Sequence, residues 1–214
     1  MKLLIFGPPG SGKGTLSDKF SSSTKIKHVS TGNIFREHIK AKDELGLKIL
    51  SINDGSLVPD SLTNEVIKDR LSQKDIKNDF ILDGYPRTRN QALFIESITK
   101  ITGVIFVDLD DKSIIDRLSN RRVCPQDGKI YHLDHKKPKV KNTCDVCGSK
   151  LIKRKDDNTE TITYRLGVYK KLTHPLLELF KKQKIPILHI KGDYDIKTKG
   201  EEIIQKILNW QKSV

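Results

Sequence analysis

The sequence predicts an α/β fold: a parallel sheet wrapped by helices, with one small insertion. Three observations carry that expectation. Short apolar runs of strand length, Lys2–Phe6, Phe80–Leu82 and Ile105–Val107, are separated by stretches of helical pattern. The first run leads into a glycine-rich loop, Gly7-Pro8-Pro9-Gly10-Ser11-Gly12-Lys13-Gly14-Thr15, and then into a helical segment at Leu16–Phe20. All three cysteines fall between residues 124 and 147, in a segment too small for a large core of its own. A chain of 214 residues, 36% hydrophobic and 31% charged, has room for one substantial core plus that insertion.

The loop has the spacing GxxxxGK between a buried strand and a helix, the context in which backbone N–H groups cradle phosphates. Gly7, Gly10, Gly12 and Gly14 permit the tight turn, the helix N-terminus behind them favours an anion, and Lys13 can reach the outer phosphates of a nucleotide. A plain glycine turn with an exposed lysine is the alternative. The hydroxyl usually found directly after the lysine is displaced by one residue to Thr15, with Gly14 between. The form GxPGxGKGT resembles the loop of nucleoside monophosphate kinases rather than that of GTPase switches or motor ATPases. It implies a transferase, so the rest of the chain must supply an acceptor site.

A second strand is expected at Ile26–Val29, and Ser30-Thr31-Gly32-Asn33 is a good helix start. The following helix has Ile34, Phe35, His38 and Ile39 on an apolar side and Arg36 off it, solvated or waiting for an anion. Residues 43–73 read as two short helices interrupted by Asn53-Asp54-Gly55-Ser56 and Pro59, with Asp60 or Ser61 capping the second. Phe80-Ile81-Leu82-Asp83 then ends in a carboxylate at the C-terminal edge of the sheet, where doubly wound folds bind ligands. Asp83 there can hold Mg²⁺ directly or through water. Gly84 permits close backbone approach, Pro86 stiffens the turn, and Arg87 offers a planar fork for phosphate. Asp108 also ends an apolar run, but it leads to Asp110 and Asp111, which look like a helix cap.

Gln91, in the first turn of a helix from Thr88 to Ser97, is either a reader of a base edge or a surface glutamine. Arg117 and Arg121 lie four apart in a helix expected from Asp111 to Arg122, hence on one face. Arg154 and Arg165 flank the far side of the cysteine segment, which favours a converging arginine cluster over a salt-bridged surface. Beyond Asp157 a long helical pattern runs to Lys184 with a kink at Pro175, followed by a strand at Pro186–Ile190 and a closing helix at Gly200–Lys212.

Cys124-Pro125-Gln126-Asp127 and Cys144-Asp145-Val146-Cys147 make two short knuckles. Two CxxC pairs would close a tetrahedral zinc site; here Asp127 occupies one position, giving a structural Cys3Asp site. His132 or His135 could instead supply the fourth ligand, and a redox Cys144/Cys147 pair is the other reading. A net charge of +13 suits either a nucleic-acid partner or a phosphate-handling enzyme with a lysine-rich solvated surface. No block of five or six consecutive basic residues stands out, which favours the second. No apolar run approaches the ~20 residues that span a bilayer. The run after Lys2 stops at Phe6, so no signal peptide is expected and the cytoplasm is the default location.

Taken together, GPPGSGKGT, STGNIFR, DGSLV, FILDGYPRT with Gln91, DRLSNRR, the cysteine insert, RKDD and TITYR resemble adenylate kinase in its long, zinc-bearing bacterial form, in collinear order over essentially the whole chain. The resemblance implies a P-loop core with a five-stranded parallel sheet at residues 1–29, 60–120 and 159–214. It also implies an AMP-binding flap at 30–59 and a zinc-bearing lid at 121–158. It implies Mg²⁺-dependent transfer between ATP and AMP giving two ADP, by a monomer, without a nucleic-acid or membrane partner. By the same resemblance, Gly10, Ser11, Gly12, Lys13, Gly14 and Thr15 hold the ATP phosphates and Asp83 organises Mg²⁺ through water. Arg117, Ile130, Tyr131 and the backbone near Tyr194 receive the ATP base. Thr31, Arg36, Leu57, Val58, Gly84, Tyr85, Pro86, Arg87 and Gln91 bind AMP, and Arg121, Arg154 and Arg165 close over the phosphoryl group. Zinc falls to Cys124, Asp127, Cys144 and Cys147.

Overall fold

The computed structural model describes residues 1–52, 56–76 and 78–214; the turn expected at Asn53-Asp54-Gly55 lies outside the described residues. Among them, the strands are β1 (Lys2–Phe6), β2 (Lys27–Ser30), β3 (Phe80–Asp83), β4 (Gly103–Asp108), β5 (Arg121–Val123), β6 (Ile130–His132) and β7 (Ile187–Lys191). Five of these form a parallel sheet in the order β2-β3-β1-β4-β7, and β5 pairs antiparallel with β6. A parallel sheet is covered on both faces, which is why its strands read as unbroken apolar runs.

Alternation along β1 divides the core into two layers. Leu4 and Phe6 pack with Leu82, Ile67, Ile95 and Phe180 on one face, while Leu3 and Ile5 pack with Leu16, Phe20, Ile204 and Ile207 on the other. Phe20, fully buried, seats the first helix against the sheet, and truncating such a side chain costs about 3–5 kcal/mol. The phosphate loop is thus fixed from both ends, by β1 before it and by this helix after it.

The helices are α1 (Lys13–Thr24), α2 (Thr31–Ala41), α3 (Glu44–Leu50), α4 (Asp60–Ser72), α5 (Arg89–Ile98), α6 (Asp111–Ser119), α7 (Thr159–Val168), α8 (Leu176–Lys182) and α9 (Ile196–Ser213). Side-chain caps set most of their starts: Ser30 accepts from the Asn33 N–H, Thr88 from Gln91, Asp110 from Ser113, and Asn158 from Thr161. Asp195 caps α9, which therefore begins four residues earlier than the expected Gly200.

Three expectations are corrected. The helix through Arg117 stops at Ser119, and Arg121 lies in β5, because residues 121–123 pair with 130–132 and the Leu133 N–H takes the Asn120 carbonyl. Arg117 and Arg121 therefore share no helix face. Asp60 does not cap α4: Pro59 holds that position, and the Asp60 carboxylate turns away to Thr88 and Gln91. The kink at Pro175 takes the form of a π-helical turn, Tyr169–Thr173, closed by the His174 N–H on the Tyr169 carbonyl five residues back. No helix among the described residues is long and apolar enough to cross a membrane.

Candidate active site

A cavity of about 510 Å³ opens at the C-terminal ends of β1 and β3, where the phosphate loop, the start of α2, the turn after β3 and the cysteine-bearing insert meet. The loop's shape follows from its glycines: Gly12 sits at φ 95° at the start of α1, a conformation that side-chain-bearing residues rarely adopt. Lys13 curls back over the loop, its Nζ donating to the Gly7 and Pro8 carbonyls at 2.8 and 2.7 Å. Burial pushes its ammonium down to about 8, helped by the charges of Arg87, Arg165 and Arg121 and opposed by Asp83.

Asp83 ends β3 beside the loop. Burial works against its charge, but His28, Lys13 and Arg87 together hold its carboxyl below the usual range. Asp108, the alternative at the end of β4, is exposed and outside the cavity wall. The turn after Asp83 is tight: Gly84 has φ 82°, and a Cβ there would meet the Thr31 hydroxyl at 2.5 Å. Arg87 is held from two sides, its Nε donating to the Gly84 carbonyl at 2.8 Å and its backbone N–H to Gln91 Oε1 at 2.7 Å. Thr173, on the π turn, adds a hydroxyl to the Arg87 carbonyl at 2.9 Å.

Six arginines, Arg36, Arg87, Arg117, Arg121, Arg154 and Arg165, line this one cavity. Two carry built-in counter-ions. Arg121 grips Asp157 with Nε and Nη2, the former at 2.8 Å, and Arg165 pairs with Asp156 at 2.6 Å. Among the described residues, Arg36, Arg87 and Arg154 form no ion pair. Burial and then the neighbouring arginines depress all three guanidinium groups, Arg154 to about 9, and its Nε is buried without a partner among the described residues. A cluster of desolvated cations of this kind is relieved by a polyanion.

The cavity wall includes Gly10, Ser11, Gly12, Lys13, Gly14, Thr15, Leu57, Tyr85, Pro86, Ile130, Tyr131 and Tyr194. Thr31, Val58 and Gln91 lie outside it. Thr31 donates to the Asp83 carbonyl at 3.3 Å. Gln91 is buried with both ends of its carboxamide committed, Oε1 to the Arg87 N–H and Nε2 to Asp60 Oδ1 at 2.8 Å. It reaches a base only by giving up one of those bonds. The Tyr85–Pro86 peptide is cis.

Sequence reasoning passed over Asp18, His28 and Lys136 and weighed His132 and His135 only as zinc ligands; all five line the cavity. His28 had one usable signal: it sits two residues before the Ser30 cap on β2, hence on the same face of the strand.

Away from the cavity, the ligand atoms of Cys124, Asp127, Cys144 and Cys147 lie within 4.8 Å of one another. The two knuckles have matching backbones. The Gly128 N–H bonds to the Cys124 carbonyl and the Gly148 N–H to the Cys144 carbonyl, each at 3.0 Å. Cys144 Sγ is 3.1 Å from Asp127 Oδ2, and Cys124 Sγ is 3.3 Å from Cys147 Sγ. His132 and His135 are not in this group; they gather with Asp116 instead. Tyr131 supports the cysteines, its hydroxyl 3.4 Å from Cys144 Sγ and accepting the Asp145 N–H at 2.8 Å. This cluster could hold a metal ion.

The family model described as Adenylate kinase matches residues 5–185. Adenylate kinase of Thermosipho africanus is 42% identical over 215 residues, covering 98% of both chains. That of Acholeplasma laidlawii is 40% identical over 95% of this chain and 96% of its own. That of Clostridium tetani is 44% identical over 86% and 88% respectively.

Proposed function

The chain belongs to the adenylate kinase family, whose reaction is reversible phosphoryl transfer from ATP to AMP giving two ADP, and we propose that the arginine-lined cavity is where it carries out that transfer. The observation that carries the assignment is the convergence of a phosphate loop, a buried carboxylate and six arginines on one space. The attacking AMP phosphate oxygen is already an anion, so no strong base is needed; alignment and charge neutralisation suffice.

In this reading the N–H groups of Gly10 to Thr15 and the Lys13 ammonium take the ATP phosphates, which replace the Gly7 and Pro8 carbonyls now bound to Lys13. Arg36 and Arg87 take the AMP phosphate, with Thr31, Leu57, Val58, Gly84, Tyr85, Pro86 and Gln91 around its nucleoside. Arg117, Ile130, Tyr131 and Tyr194 receive the ATP base. Arg121, Arg154 and Arg165 face the phosphoryl group in transit, Asp156 and Asp157 holding two of them in place. The family implies Mg²⁺ with ATP, and Asp83 suits it: among the described residues its one ion-pair contact is a 3.7 Å approach to His28, which leaves carboxylate oxygens for metal-bound water. When bound, the ion neutralises phosphate charge.

We assign residues 1–29, 60–120 and 159–214 to the core, 30–59 to an AMP flap and 121–158 to a lid. Lid closure would bring Arg121 and Arg154 while keeping water from the transferring group. Cys124, Asp127, Cys144 and Cys147 would hold a structural Zn²⁺, whose favoured ligands are thiolate, imidazole and carboxylate in a closed four-coordinate site. We take the protein as a cytoplasmic monomer without a nucleic-acid partner. The deciding experiment mixes it with Mg²⁺-ATP and, separately, AMP, CMP, UMP or GMP, with a no-acceptor control. ADP forming rapidly with AMP alone is the expected result. Turnover with CMP or UMP would move the acceptor assignment, and no turnover with any acceptor would overturn the reading.

A further inference from the structure

One buried group facing the cavity has no role in the transfer as derived above. His28 is carried on β2, next to β3 in the sheet, and its side chain is only 9% exposed. Its Nδ1 lies 2.7 Å from Asp18 Oδ1 on α1. A carboxylate accepts, so the imidazole carries a proton at Nδ1 and the ring's orientation is set from the outer side. That orientation turns Nε2 inward, where it is buried without a hydrogen-bond partner among the described residues, 3.7 Å from Asp83 Oδ2. The separation is a charge-pair distance, too long for a hydrogen bond.

Asp18, His28 and Asp83 therefore form a line running from the surface of α1 across the sheet edge to the phosphate loop. On the loop side Gly14 leaves room beside the same carboxylate: even a Cβ there would stand 3.5 Å from Oδ2, an ordinary contact distance. The imidazole backs one side of the carboxylate and the glycine leaves the other side open, so His28 is the neighbour that sets how the carboxylate faces the cavity. We propose that His28 is a positioning residue for the transfer: turned by Asp18, it fixes the Asp83 carboxylate towards the metal–triphosphate. This rests on the reading of Asp83 as the group that organises Mg²⁺ through water. Partners that orient a metal's ligands are worth about 10–100-fold in metal affinity, and the lower end applies to a contact through water.

The test compares, by calorimetry, the affinity of the zinc-replete protein for a non-hydrolysable ATP analogue with Mg²⁺ and in divalent-free buffer. The ratio of the two affinities reads the metal alone, and it moves without any turnover. His28→Leu should lower the ratio about tenfold, with metal-free affinity unchanged. His28→Gln, whose amide reaches the Nε2 position, should restore most of it, and Asp18→Asn should fall between. Asp83→Asn should bring the ratio close to one. A ratio that drops in Asp83→Asn but is unchanged or raised in His28→Leu would overturn the role of His28 alone. A ratio unmoved in Asp83→Asn would overturn the reading of Asp83 beneath it. Melting curves on each variant separate lost folding from lost positioning, and failure of His28→Gln to rescue a folded protein also counts against the proposal.

Discussion

Asp157→Asn gives a quantitative test of the arginine cluster. Asp157 is fully buried, accepts two N–H bonds from Arg121, and stands 4.0 Å from Arg165. The amide keeps one acceptor, presents an NH2 to the guanidinium, and leaves Arg121 without its charge partner. Removing one partner of a buried ion pair costs about 3–5 kcal/mol. The low end applies because Arg121 keeps 13% exposure towards the cavity. About 3 kcal/mol in a chain of this length lowers the melting temperature by about 6–12 °C. A polyphosphate supplies part of the missing negative charge, so saturating nucleotide should raise the melting temperature more in the variant than in the parent. Thermal unfolding by circular dichroism, with and without an ATP analogue, measures both effects. A nucleotide-free loss below 2 °C, together with an unchanged nucleotide response, would refute the claim that Asp157 is the counter-ion of this cluster.

Further predictions follow from the same geometry. The Lys13 ammonium, pushed down to about 8, loses its proton as pH rises through that value, so ATP affinity should fall there. Lys13→Met should show no such inflection and should lose phosphoryl transfer by about a hundred- to a thousandfold with the fold intact. The same shift makes the charged lysine a folding cost below about 8 that is relieved towards its ordinary 10.5, so Lys13→Met should be relatively more stable at neutral pH than at pH 10. Arg87→Ala should also abolish transfer while leaving the melting temperature within a few degrees, and near-normal turnover in it would remove Arg87 from the phosphate site. Cys144→Ser should lower thermal stability more than activity at low temperature, and elemental analysis of protein purified without chelators should give about one zinc per chain. Substoichiometric zinc would count against the metal assignment.

What could be read from the sequence was chemistry fixed by neighbours along the chain. The phosphate loop was legible because strand, glycines, lysine and helix are contiguous, and Asp83 because a glycine and an arginine follow it within four residues. Arg121 was misplaced because its strand exists only through a partner, His132, well downstream, and a three-residue strand leaves no periodicity of its own. Asp60 resembled a cap locally, yet Thr88 and Gln91, far along the chain, claim its carboxylate. His28 went unnoticed for the same reason: its significance comes from Asp18 and Asp83, which only the folded sheet brings to either side of the ring.

The insert leaves and rejoins the core at one place. Arg121 is tied to Asp157, and Val123 and Ile152 exchange backbone hydrogen bonds at 2.8 and 2.9 Å. From the core's side, residues 124–151 between them behave like a short turn, because the two chain ends are already joined at the threshold. The excursion can therefore be lengthened or trimmed beyond that threshold with little change in what the core must hold together. A doubling of loop length costs only about 0.6 kcal/mol. Arg121, at the outer edge of the clasp, would then keep its tie to Asp157 whatever hangs beyond it.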